Sequence, residues 1–202
     1  MTAVAELISS QEYLELERAS LTKHEYIAGQ MIEMAGASRE HNLIVGNVGF
    51  VLLGQLRGRP DEVYQNDMRV RILATDLFTY PDVSVVGGEA IFDDKEKDVL
   101  LNPTIIVEVL SASTESYDRG EKFKSYRTIP TLQEYIMSAQ DSHRIEHYVR
   151  QPDGQWLFSE ATALDESIHL PSIDCELTLA DVYDKVNIPT QSDEHHVNGH
   201  QG

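Results

Sequence analysis

Cysteine is almost absent from this sequence of 202 residues: Cys175 stands alone, so neither an internal disulfide nor a cysteine-rich zinc site can form. A single thiol points to a reducing compartment, and its commonest role is that of a small buried apolar side chain. Basic charge is scarce as well. Against 34 Asp and Glu stand 16 Lys and Arg, a formal net charge of −18, which removes the broad positive field behind non-specific nucleic-acid binding; contact with DNA has to come from a local basic patch. No run of the roughly 18 apolar residues that a membrane-spanning helix needs occurs anywhere. The opening MTAVAELISSQEYLELE has no basic stretch followed by an apolar one, so the expected location is the cytoplasm, with no membrane. What is present is ordinary globular composition, 41% hydrophobic and 25% charged, enough for one domain with its own core.

Patterning along the chain predicts an α+β domain. SSQEYLELERA reads as a helix capped by Ser10, with Glu12 in its first turn and Tyr13, Leu14 and Leu16 on the apolar side. HEYIAGQMIEMAG is a hairpin around Ala28-Gly29. SREHNLIVGNVGFVLLGQLRG places Leu43, Ile44, Val48, Val51, Leu52 and Leu56 at helical spacing, with Gly46, Gly49 and Gly54 as points of close packing. Strands follow at Val63 to Asp67 running into MRVRI, at DVSVV and at TIIVEVL, the last apolar enough to be covered on both faces. Ser113 to Arg127 reads as a helix capped by Ser113 or Thr114. LQEYIMSA, RIEHYVR and WLFSE read as strands, the latter two joined through the turn QPDGQ, and IHLPSIDCELTLADVY as an edge strand and a short helix. A single domain over 1–186, with a mixed central sheet flanked by helices, and a disordered polar tail over 187–202 are therefore expected. His195, His196 and His200 in that tail read as solvated.

The residue that stands out is Glu108, an acid inside the apolar strand IIVEVL, where an uncompensated carboxylate is costly. A nearby arginine could balance it. The other option is a shared site with a second acid, Asp82. Pro-Asp occurs at 60–61, 81–82 and 152–153, but only Pro81-Asp82 leads into a hydrophobic strand and is followed by an acid within a second one. Two carboxylates at equivalent places on neighbouring strands make an oxygen-rich site for a hard cation such as Mg²⁺. Asp118, Lys122 and Tyr126 then fall at i, i+4 and i+8 on one helix face. Two readings of that face stay open: a solvated helix with an Asp–Lys pair, or a lysine delivered to the acids, where it orients a water beside a phosphate.

YPDVSVV, IIVEVLSAST, YDRGEKFKSYR and LQEYI together resemble the Uma-type restriction endonucleases, a branch of the PD-(D/E)XK nuclease superfamily, over roughly residues 11 to 185. The resemblance implies a restriction-endonuclease-like core and hydrolysis of a DNA phosphodiester with Mg²⁺, Mn²⁺ being a substitute. It makes Asp82 and Glu108 the metal-ligating acids, with the carbonyl of Val109 as a further ligand. Leu110 stands where the superfamily has its lysine, and in this branch the lysine of the following helix replaces it, here Lys122 ahead of Lys124. Glu25 lies in the segment that contributes an additional acid in many relatives, its alternative being a surface carboxylate. His41 reads first as a capping or surface residue and Tyr126 as core.

DNA would be held locally, by residues such as Arg69, Arg71, Arg119, Lys124 and Arg127, and homodimerisation would bring two sites to a duplex. Leu110 and the acidic surface leave a rival reading, a catalytically inactive nuclease fold kept as a dimerisation or adaptor module. A third is a metal-dependent hydrolase of another phosphate substrate.

Overall fold

The computed structural model describes residues 7–188. The first element among the described residues is α1 (Ser10–Ala19), and its cap is Ser9 rather than Ser10: the Ser9 hydroxyl accepts from Glu12 N–H while the Glu12 carboxylate accepts from Ser9 N–H. Tyr13 and Leu14 are buried, whereas Leu16 faces solvent. The hairpin β1 (His24–Ile27) and β2 (Gln30–Glu33) forms as expected. Its turn needs left-handed backbone at both Ala28 (φ 47°) and Gly29 (φ 93°), which the glycine adopts without cost.

Helix α2 (Arg39–Gln55) is capped by the Ser38 hydroxyl, and its buried stripe is Ile44, Val45, Val48, Gly49 and Leu52. Of its three glycines only Gly49 is a point of close approach. A Cβ there would lie 1.8 Å from Gln65 Nε2, and that amide donates to Val45 O at 3.0 Å. Gly46 and Gly54 have open space beside them.

The remaining strands are β3 (Glu62–Gln65), β4 (Arg69–Ile72), β5 (Leu77–Thr79), β6 (Val83–Val86), β7 (Val99–Leu100), β8 (Ile105–Leu110), β9 (Glu134–Ala139), β10 (Ile145–Arg150), β11 (Trp156–Ala161), β12 (Ser167–Leu170) and β13 (Cys175–Thr178). They form a six-stranded mixed sheet in the order β11-β10-β9-β8-β6-β3, a five-stranded sheet β2-β1-β5-β4-β7 and the hairpin β12-β13. The fold is thus α+β, with a mixed sheet flanked by helices. What reads in sequence as one strand running from Val63 into MRVRI divides between the two sheets, because Asn66 turns through left-handed backbone (φ 57°) between them.

Strand β8 is buried at all six positions and feeds two cores by alternation. Ile105, Val107 and Val109 pack with α2 residues Ile44, Val48 and Leu52 and with the short helix α5 (Leu179–Val182). Ile106 and Leu110 pack on the opposite face with Tyr126, Leu132 and Tyr135, and with Val70, Ile72 and Leu77 of the five-stranded sheet. Glu108 lies on that second face. Covering it is a helical segment of three parts: α3 (Glu115–Tyr117), a π-helical turn (Asp118–Lys122) and α4 (Phe123–Tyr126), with Thr114 at its N-cap. The tail expected to be disordered lies outside the described residues from 189 onward.

Candidate active site

Asp82 stands just ahead of β6, and three contacts fix it. Its backbone carbonyl accepts Asn66 N–H at 3.0 Å, Oδ2 accepts Val109 N–H at 2.7 Å, and Oδ1 lies 2.9 Å from His41 Nε2. The peptide that follows Glu108 therefore touches Asp82, as the antiparallel register of β6 on β8 dictates. From the helical segment, the Tyr126 hydroxyl donates to Glu108 Oε1 at 2.7 Å, and Lys122 Nζ lies 2.9 Å from the same oxygen. The ammonium is also 3.4 Å from Asp118 Oδ1 and 3.5 Å from Glu25 Oε1. Glu25 comes from β1 of the other sheet and accepts the Thr79 hydroxyl. Strands from both sheets and the covering helical segment thus converge on one ammonium.

The π turn is part of this construction. Single π turns inside α-helices recur at functional sites, where they re-aim side chains. Here Asp118, Lys122 and Tyr126 all end up on the buried side, at 3%, 5% and 0% exposure, so the helix face read from the i, i+4, i+8 spacing is the packed one rather than a solvated one.

Three carboxylates, those of Glu25, Glu108 and Asp118, face one ammonium, with Asp82 beyond Glu108, and the electrostatics follow. Burial pushes the Glu108 carboxyl up to about 8 despite the neighbouring Lys122, with Asp118 and Asp82 adding to the rise. Burial likewise raises Asp118, again against the pull of Lys122. For Lys122, burial disfavours the charged form, but Glu108 and its other neighbours outweigh it, and the pKa lies above the ordinary lysine value. The ammonium is held charged in an apolar wall by an excess of acids.

All the acids and the lysine singled out in sequence, Glu25, Asp82, Glu108 and Lys122, are thus brought together, and Val109 joins them through its N–H. Glu25 is buried rather than a surface carboxylate. Glu108 is balanced by Lys122, not by an arginine. Lys124 is exposed and pairs with Glu121 at 3.3 Å. Two residues that sequence reasoning set aside belong to the cluster: Tyr126, read as core, bonds Glu108, and His41, read as capping or surface, reaches Asp82. Asp118 was visible only as part of the helix face. Among the arginines expected to hold DNA, Arg69 is buried against Asp98, Arg71 pairs with Asp76 and Asp93, and Arg119 with Glu115 and Glu146. Of that group Lys124 and Arg127 remain exposed.

A family model described as Uma2, "Putative restriction endonuclease", matches residues 10–181, a stretch that includes every residue of this cluster. The chain belongs to the Uma2 family. Two similar proteins come from Synechocystis sp.: the uncharacterized protein sll1609, 39% identical over 160 residues (79% of this chain and 90% of the relative), and the uncharacterized protein slr1290, 36% identical over 176 residues (87% and 91%). A crystal structure described as that of a putative nuclease belonging to DUF820, from Anabaena variabilis, superposes with a TM-score of 0.73 at 19% identity, covering 89% of this chain and 99% of that one. At that identity the likeness establishes the shared fold of this Uma2 chain. The chemistry has to be argued from its own residues.

Proposed function

We propose that the protein is a divalent-cation-dependent DNA endonuclease in which Asp82 and Glu108 hold the cation and Lys122 is the lysine of the site, displaced from the strand to the following helix. The observation that carries this reading is the convergence of Lys122 Nζ on Glu108 at 2.9 Å, with Asp82 bonded to the very next peptide. Among the described residues, no group of three or more His, Cys, Asp or Glu side chains is arranged to enclose a metal ion. Mg²⁺ usually takes one or two carboxylates and completes its shell with water and substrate phosphate, a share that Asp82 and Glu108 would supply. The donor set fits. Both protein contacts of Glu108 fall on Oε1, leaving Oε2 to a ligand. Val109 turns its N–H toward Asp82, and in an extended strand the carbonyl of the same residue leaves on the same edge, which supports it as a further oxygen donor.

A bound Mg²⁺ or Mn²⁺ would supply Lewis-acid polarisation of the phosphate and acidify a water. The protein's own groups do the rest. Lys122, fixed by three carboxylates, offers its ammonium to a water or to charge developing on the phosphate. Tyr126 holds the Glu108 carboxylate in place, and Glu25 with Thr79 braces Lys122 from the second sheet. We read 1–186 as one nuclease domain acting in the cytoplasm as a homodimer, which would set two sites on a duplex. Among the described residues no helix is long and apolar enough to cross a membrane.

Nicking of plasmid DNA with Mg²⁺ or Mn²⁺, on wild type, Asp82→Ala and Lys122→Met, tests the reading. Cleavage by wild type, lowered at least about a hundredfold by either substitution, is the expected result. The adaptor reading draws on Leu110 and on the engagement of Arg69, Arg71 and Arg119 in ion pairs. Intact plasmid with wild type, together with no change of Tm on adding either cation, would put it first.

A further inference from the structure

We propose that His41 is a positioning residue that holds the Asp82 carboxylate in the orientation in which it takes a divalent cation; the inference rests on the cation-dependent reading above. His41 is the third residue of α2, and its own N–H donates to the Ser38 hydroxyl at 3.0 Å, so its backbone is fixed by the helix cap. The helix is anchored in turn by Ile44, Val45, Val48 and Leu52 in the core. This rigid base carries the imidazole to Asp82 Oδ1 at 2.9 Å, in a contact where the two side chains are 16% and 15% exposed.

Asp82 is then gripped at both oxygens, Oδ1 by His41 and Oδ2 by Val109 N–H. Each carboxylate oxygen accepts along two lone-pair directions, so each keeps one free, and the carboxylate cannot rotate without breaking two bonds. An imidazole donates from Nε2 whether neutral with its proton there or protonated, so the grip does not depend on the charge of the ring. The arrangement is the oxygen counterpart of the hydrogen-bonded groups that orient metal ligands elsewhere, whose loss lowers metal affinity by about 10–100-fold. The helix itself has no use for the imidazole, because the cap of α2 is made by the Ser38 hydroxyl and needs no side chain at position 41.

The decisive experiment is calorimetric titration of the full chain with MnCl₂ alone, DNA absent, for wild type, His41→Phe and His41→Gln. Phenylalanine keeps the ring's bulk without a donor, and glutamine restores an N–H at similar reach. The expected result is a Mn²⁺ affinity about 10–100-fold weaker in His41→Phe, recovered in large part in His41→Gln, with metal-free unfolding of both close to wild type. In cleavage assays the loss should then fall on kcat, with KM for DNA unchanged. Wild-type affinity in His41→Phe would overturn the proposal, as would a Gln variant no better than Phe, which would make the ring itself the ligand. Wild type that takes up no Mn²⁺ would overturn the cation-dependent reading and this inference with it, a result separable from the other two.

Discussion

Two buried charge clusters lie on opposite faces of the six-stranded sheet, and they are built on different arithmetic. On the α2 face, Glu134 and His147 form a closed pair: Glu134 Oε2 lies 2.5 Å from His147 Nε2, Oε1 accepts Ser172 N–H at 2.7 Å, and the two residues are 0% and 3% exposed. On the other face, one ammonium serves three carboxylates, and burial drives Glu108 and Asp118 away from their charged forms. In the closed pair each Glu134 oxygen has its own partner and the whole is sealed in the core, 0% and 3% exposed, where no ligand reaches it. An unbalanced cluster stores a demand for positive charge, and buried titratable groups perturbed in this way mark functional sites. The two clusters share the same burial; the number of acids gathered around one nitrogen partner distinguishes them.

Removing the nitrogen partner of each cluster, the Lys122 ammonium or the His147 imidazole, should break the comparison most sharply. Lys122→Met leaves three carboxylates without their ammonium and is expected to cost about 3–5 kcal/mol in the metal-free protein, as other broken buried pairs do. His147→Ala should cost about 3 kcal/mol, since it strands one buried oxygen of Glu134. Urea unfolding with and without Mn²⁺ separates them: the cation should restore part of the loss in Lys122→Met and none in His147→Ala. Equal responses to Mn²⁺ would erase the distinction between the two clusters.

The pH dependence of stability sharpens the same point. Glu108 takes its proton at about 8 in the folded protein against an ordinary glutamate value of 4.5. Between those values the native state binds more protons than the unfolded one, so this stabilisation is complete below 4.5 and is lost as pH rises through about 8. Metal-free unfolding free energies measured across that window should therefore decline through Glu108, and Glu108→Gln should flatten that part of the curve. The smallest effect belongs to Asp118→Asn, which removes one excess charge while keeping shape. It should stabilise the metal-free protein by about 1 kcal/mol and weaken the Mn²⁺ response, the exchange of stability for function expected of a strained site. A destabilised Asp118→Asn variant would argue that the three acids are balanced after all.

Much of this was legible in the chain because the signals are short-range. The acid in IIVEVL, the Pro-Asp that opens VSVV and the i, i+4, i+8 face of the following helix are each defined within a few residues, and all three proved to meet. Where the reading slipped, the deciding contact was distant. His41 looked like a cap because nothing near it in sequence needs a histidine; its partner is Asp82, on another element. Gly46, Gly49 and Gly54 look alike on the helix, and only the passage of Gln65 makes one of them a contact point. Strands β5 and β7, of three and two residues, carry too little pattern to be seen and exist through their partners in the five-stranded sheet. The arginines read as a basic patch are taken up by acids, Asp98 for Arg69 and Glu146 for Arg119 among them.

By itself the sequence determined the longer elements, the two faces of β8 and the kinds of group available for chemistry, because helix caps, turn residues and alternation act over one to four positions. The tertiary structure alone decided that His41 and Tyr126 join Glu25, Asp82, Glu108 and Lys122 and that three arginines do not. Burial and charge balance depend on which distant residues share a volume. That volume exists only once two sheets and a π-turned helix have closed around it.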